Sequence, residues 1–160
     1  MKIIKHPDPI LTTPCQDWDF ENPPIDPETF ASDLIKVCKE NNSVGISANQ
    51  VGYPYRVFVM VGEPNFVCYN PKIVNLGDEI NNLEEGCVSF PGIAVKIKRS
   101  KEVRLRFQTP SGAVTTKTFN GLSAKTVQHE MDHLDGYIFY KRANRYHLEL
   151  AMKKRNKIYG

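Results

Sequence analysis

In DPETFASDLIKVCKENN, residues 26–42, apolar side chains return every fourth position at Phe30, Leu34 and Cys38, with polar and charged residues between them. That spacing draws one stripe down an α-helix, with Asp26 as its N-cap and Pro27 in the first helical position, where a missing N–H costs nothing. Further along, the period falls to two. YRVFVMVG, NFVCYNPKIVN, GIAVKIKRS, KEVRLRFQT and AVTTKTFN are short runs rich in β-branched and aromatic residues, several of them alternating apolar with polar. This is the pattern of antiparallel strands. Pro110 and Gly112 in QTPSGAV place a hairpin turn between the last two. Helical spacing returns after Ser123, a candidate N-cap: Val127, Met131 and Leu134 fall on one side, His129 and His133 on another, and Gly136 ends the run. A last short helix starts near Asn144 and turns Leu148 and Met152 inward.

These elements predict an α+β class: antiparallel strands packed around a central helix that carries the histidines, with an N-terminal helix and a short C-terminal helix. The 160 residues contain no internal repeat, low-complexity segment or Gly/Ser linker, so residues 1–160 are expected to form a single domain. Hydrophobic residues at 41% and charged residues at 24% belong to a globular chain rather than a disordered one. No apolar run reaches the roughly 20 residues a membrane helix needs. In MKIIKHPDPILTTPC, Pro7 and Pro9 interrupt the only apolar stretch before a signal-peptide core can form, so a cytoplasmic protein is expected, with an organelle or a host cytosol as equivalents. In a reducing compartment Cys15, Cys38, Cys68 and Cys87 are buried thiols or metal ligands rather than a disulfide frame. The net charge of +3 is concentrated in KIKRSKEVRLRF and the C-terminal KKRNKIYG. Both read as solvated faces, the tail alternatively as a transient contact with ribosomal phosphates; neither implies a membrane or a specific nucleic-acid partner.

The chemistry concentrates in VQHEMDHLDG. Residues four apart share a helix face, so His129 and His133 can hold one ion between their rings, and Glu130 beside it can take a proton from an activated water. A solvated polar helix is the plain alternative. A catalytic site usually adds a third protein ligand. Asp135, His147 and Glu149 are candidates downstream; upstream, Cys87 stands in LEEGCVSFPG, where EEGC is poor strand and poor core sequence and Gly86 permits close backbone approach. A thiolate would favour iron or zinc over magnesium or calcium. In SVGISANQVG, Gly45 allows a close approach and Gln50 offers an amide NH2 for a developing oxyanion.

Taken in order, GISANQ, EGCVSF and QHEMDHLDG closely resemble the three motifs of the peptide deformylases, and the opening IIKHPDPIL resembles that family's first strand and turn. The resemblance implies that Cys87, His129 and His133 bind Fe2+, which Zn2+ or Ni2+ can replace in purified protein, with Glu130 as acid/base. It implies that Gln50 and the backbone N–H of Val88 hold the oxyanion, and that backbone around Val44, Gly45 and Gly86 pairs with an extended N-formylmethionyl peptide. Val44, Val88 and Leu122 are then expected to line the methionine pocket. Ser43, Ser47 and Val88 stand where glycine, alanine and leucine are usual in the family, which bears on the shape of the loops and leaves the catalytic groups intact. Asp132 is expected to orient a histidine or to pair with Arg99.

The reaction so implied removes the formyl group as formate. Three rivals make different demands. A zinc endopeptidase of the H-E-x-x-H type takes its third ligand downstream; a cysteine hydrolase uses Cys87 as nucleophile and survives chelation; a non-catalytic relative binds nascent chains through the basic tail.

Overall fold

The computed structural model describes residues 1–159. Helix α1 spans Pro27–Glu40, and the Asp26 carboxylate accepts the Thr29 N–H at 3.0 Å, as an N-cap does. Seven strands follow: β1 Gly45–Ser47, β2 Val57–Met60, β3 Phe66–Leu76, β4 Ile80–Cys87, β5 Phe90–Ser100, β6 Glu102–Gln108 and β7 Val114–Asn120. Helix α2 covers Gly121–Leu134 and α3 covers Arg145–Tyr159. All paired strands of these elements run antiparallel, in a five-stranded sheet of order β1-β2-β3-β6-β7 and a separate β4-β5 hairpin.

The five strands expected from alternation are present, and two more exist. β1 is three residues long and buried throughout, too short to show a period. β4 contains the EEGC stretch that reads poorly as strand, yet Glu84, Glu85 and Gly86 pair in register with Lys96, Val95 and Ala94. Its inward position is filled by Glu85, 3% exposed, whose charge is met by buried partners rather than by water. The start of α2 also differs: Asn120, not Ser123, is the N-cap residue, and its side chain makes no capping bond.

Ten residues of α2 are buried, Ala124 and Thr126 through Leu134. Ala124, Val127, Met131 and Leu134 pack with Phe58, Met60, Val103 and Leu105 on one face of the large sheet. The other face of that sheet holds α1 through Phe30, Leu34, Val57 and Val59. A third cluster joins the hairpin to α3 and to Phe139. Because α2 is enclosed between sheet, hairpin and the 3-10 turn Ala48–Val51, its polar face looks onto protein. That placement makes the histidine side of α2 an interior surface.

Candidate metal centre

His129 and His133 come from adjacent turns of α2, and Cys87 arrives at the last position of β4, before the Val88–Ser89 turn into β5. Cys87 Sγ lies 3.3 Å from His133 Nε2, and the two Nε2 atoms lie 3.2 Å apart. All three ligand atoms fall within 4.8 Å of one another. Around a tetrahedral ion with metal–nitrogen bonds of about 2.0–2.1 Å and a metal–sulfur bond of about 2.3 Å, nitrogens sit about 3.3 Å apart and sulfur about 3.6 Å from nitrogen. The three residues fit a divalent ion of that kind, and one thiolate with two imidazoles suits iron or zinc. The downstream candidates are elsewhere. Asp135 pairs with Arg56 at 2.9 Å, Glu149 pairs with Arg145 at 3.1 Å, and His147 lies on α3 outside the cluster. The endopeptidase arrangement therefore lacks its ligand among the described residues.

Behind the histidines runs a chain of buried ion pairs. Glu85 Oε1 meets His129 Nδ1 at 2.8 Å, which fixes the ring with Nε2 turned toward Cys87 and His133. Arg99 grips Glu85 with two nitrogens at 2.8 and 3.0 Å and donates a third bond to Asp132 at 2.8 Å. Arg142 then clasps Asp132 at 2.8 and 2.7 Å. The Asp132–Arg99 contact is one of the two expected, whereas Glu85 and Arg142 escaped the sequence reading. Glu85 had one signal: it stands two residues before Cys87, so on a strand both point to one face.

Electrostatics follow this geometry. Burial alone would raise the Glu85 carboxyl, but hydrogen bonds from His129 and Arg99 outweigh it and hold it at about 2. Burial would likewise lower His129, yet the Cys87 and Glu85 hydrogen bonds and the Glu130 charge push it up to about 10. The same electron-rich surroundings favour any cation at that nitrogen, an ion as well as a proton. His133 is driven well below its ordinary value by burial and by the neighbouring His129 and Arg99 charges, which keeps its ring neutral and able to ligate. Its backbone is pinned by Asn49, whose amide donates to the His133 carbonyl at 2.8 Å.

Gln50 approaches from the turn after β1. Its Oε1 accepts the Ser47 N–H and hydroxyl, both at 3.0 Å, so its NH2 must face the other way, to Ser89 Oγ at 3.0 Å and Cys87 Sγ at 3.4 Å. Ser47, one of the departures from the family pattern, thus fixes which end of the amide meets the cluster. Gly45 is required by closeness: a Cβ there would sit 2.8 Å from Thr126 Cγ2 and 3.1 Å from Glu130 Oε2.

A cavity of about 80 Å³ opens between these elements, lined by Val44, Gly45, Gln50, Gly86, Cys87, Val88, His129 and Glu130. Glu130 is 3% exposed, and its Oε1 has no hydrogen-bond partner among the described residues. Burial pushes its carboxyl up to about 7 against the opposing His129 charge, poising it between acid and base near neutral pH. Leu122 differs from expectation. It is 69% exposed and absent from the cavity wall, because its turn of α2 lies beyond the opening; Lys125 and Thr126 form the wall instead.

The sequence and the fold have known relatives. A family profile described as Polypeptide deformylase matches residues 1–149. The chain belongs to the polypeptide deformylase family. The peptide deformylase of Dictyoglomus thermophilum is 37% identical over 144 residues, covering 89% of this chain and 92% of the relative. The crystal structure of peptide deformylase from Thermotoga maritima superposes with a TM-score of 0.84 at 32% identity, over 89% of this chain and 97% of that one. Plasmodium falciparum peptide deformylase is similar with a TM-score of 0.89 at 28% identity, over 98% of this chain and 94% of that one. Gln50, Cys87, His129, Glu130 and His133 all lie within the matched span of the family.

Proposed function

We propose the following assignment of roles for a metal-dependent hydrolase that removes the formyl group from N-formylmethionyl peptides and releases formate. Residues 1–160 act as one catalytic domain. Cys87, His129 and His133 hold the ion, Fe2+ in the native enzyme with Zn2+ or Ni2+ as substitutes. The bound ion supplies Lewis acidity, which acidifies a water and polarises the formyl carbonyl.

The chain's own residues do the rest. Glu130 takes the proton from the attacking water and returns it to the departing amine, a task suited to a carboxyl held near neutrality. As the formyl carbon becomes tetrahedral, Gln50 Nε2 and the Val88 N–H donate to the oxygen that gains charge. Glu85 keeps the His129 ring in one orientation through both steps. The peptide lies extended between two strand edges. β1 ends the large sheet, and Val61 N–H bonds the Val44 carbonyl, so by antiparallel alternation the backbone groups of Gly45 face the open side, where the carbonyl accepts the Ser43 hydroxyl at 2.7 Å and keeps a second lone pair for the peptide. Gly86, on β4, borders the same cavity from the hairpin.

The observation that carries this reading is a buried, partnerless Glu130 oxygen in one small cavity with a Cys/His/His cluster and an aligned glutamine amide. No helix among the described residues is long and apolar enough to cross a membrane. The reading places the enzyme in the cytoplasm or an equivalent compartment where formylated chains are made. It also gives the basic end of α3, with Lys153, Lys154 and Lys157 exposed, to transient ribosome contact.

Its test is formate release from formyl-Met-Ala-Ser by protein prepared anaerobically, with metal analysis of the same sample. Chelation should abolish turnover and Fe2+ should restore it. Full turnover by metal-free protein would instead establish the Cys87 nucleophile.

A further inference from the structure

The cavity wall carries one lysine, which has no part in the roles assigned above. Lys125 stands one turn before His129 on α2, is half-buried, and lines the cavity with Cys87 and Val88. Its ammonium donates to the Glu84 carbonyl at 3.2 Å at the exposed end of that contact. None of the ion pairs of the described residues includes Lys125. The nearby carboxylates are committed or turned away: Glu85 is bound by Arg99 and His129, and Glu84 is exposed on β4 opposite Lys96. A lysine in this setting lays its apolar stem along the wall and keeps an unneutralised charge at the rim.

We propose that Lys125 selects formyl-peptides carrying an acidic side chain at their third residue. The inference rests on the deformylase reading of the site and adds a substrate preference to it. A peptide laid antiparallel along the β4 edge with its first residue level with Cys87 passes Gly86 and draws level with Glu85 at its third residue, so its first and third side chains point, as Cys87 and Glu85 do, to the side of the strand where Lys125 stands. Side chains of an extended peptide alternate, so residues 1 and 3 share a face about 7 Å apart. With the first side chain in the cavity, the third lies over its rim. There it meets the Lys125 ammonium, whose present partner is a neutral carbonyl. A carboxylate gains from that charge and a lysine side chain is repelled by it, while residue 2 points away and is indifferent.

The experiment compares kcat/KM for formyl-Met-Ala-Glu-amide and formyl-Met-Ala-Lys-amide in the metal-loaded enzyme and in Lys125→Gln and Lys125→Glu. The amides remove the terminal carboxylate. Wild type should favour the glutamate peptide about fivefold, the size expected of a partly exposed pair, and the preference should shrink as salt rises. Lys125→Gln should bring the ratio close to one and Lys125→Glu should invert it. Each ratio is taken within one protein, so altered folding or metal content cancels. Equal kcat/KM for the two peptides in wild type, or an unchanged preference in Lys125→Glu, would overturn the proposal alone. Turnover of neither peptide by wild type would overturn the deformylase reading and this proposal with it.

Discussion

Arg99 is 4% exposed and holds Glu85 and Asp132 at once, so its removal strands two interior carboxylates. His129 and Arg142 still reach them, which offsets part of the loss. Arg99→Met should lower unfolding free energy by about 3 kcal/mol, read from denaturant titration of the metal-free protein. A loss below about 1 kcal/mol would show that the network contributes little to the fold. Arg99→Lys should recover only part, because an ammonium cannot reproduce the two-nitrogen grip on Glu85. At this scale the sequence was legible to different degrees: His129, Glu130 and His133 stand out by kind and spacing, Cys87 by its unusual neighbours, and Gln50 only through its combination with the other two motifs. It was less legible where helical phase decides. Leu122 is seven residues before His129 and shares its stripe, yet the cavity reaches only as far as Lys125 and Thr126. Hydrophobicity pointed to the leucine; the position of the opening selects the lysine.

At the level of elements, the end of α2 fixes the second histidine. Gly136 has φ +71°, its N–H bonds the His133 carbonyl at 3.0 Å, and the Tyr137 N–H bonds the Asp132 carbonyl at 2.9 Å, which is the Schellman closure of a helix. A Cβ on Gly136 would also fall 2.8 Å from the backbone of Thr13 and Pro14. Gly136→Ala should therefore cost more than the roughly 1–2 kcal/mol of the backbone conformation itself. Gly52→Ala provides the comparison, since its φ of +92° carries the same conformational cost with nothing within 4 Å of the added methyl. Thermal unfolding of the two variants should rank them in that order, and an equal loss in both would show that the packing against Thr13 and Pro14 yields freely. The stop at Gly136 was readable because glycine has one common reason to follow a helix. β4 was unreadable for the opposite reason: a strand whose inward side chain is a paired glutamate has no apolar alternation to display. β1, three residues long, has no room for a pattern at all.

Across the whole molecule, three cysteines serve as interior packing, and their raised thiols, with the raised phenol of buried Tyr69, are expected to weaken the fold at alkaline pH. Burial pushes the Cys15 thiol up to about 11, the Cys38 thiol up to about 12 with help from the Glu130 charge, and the Cys68 thiol higher still. Each folded value lies above the ordinary thiol value of 9.0, so the neutral forms stabilise the fold fully below pH 9. That contribution is lost progressively as pH rises from 9 through 11 and 12. The Tm should hold to about pH 8.5 and then fall, less steeply in Cys38→Ala than in wild type; parallel slopes would remove Cys38 from the explanation. The two sheets meet the central helix so that one cavity receives Glu85 and Cys87 from β4, a loop amide from beyond β1 and four residues of α2, Lys125, Thr126, His129 and Glu130. The central claim is that Glu130, alone in that cavity without a partner, moves the proton of the reaction. Glu130→Gln keeps the shape of the site and leaves Cys87, His129 and His133 untouched. The deciding measurement is metal content and turnover of formyl-Met-Ala-Ser on the same Glu130→Gln preparation. The account predicts the wild-type metal content with turnover reduced by at least about a hundredfold; metal-loaded Glu130→Gln turning over at the wild-type rate would contradict it.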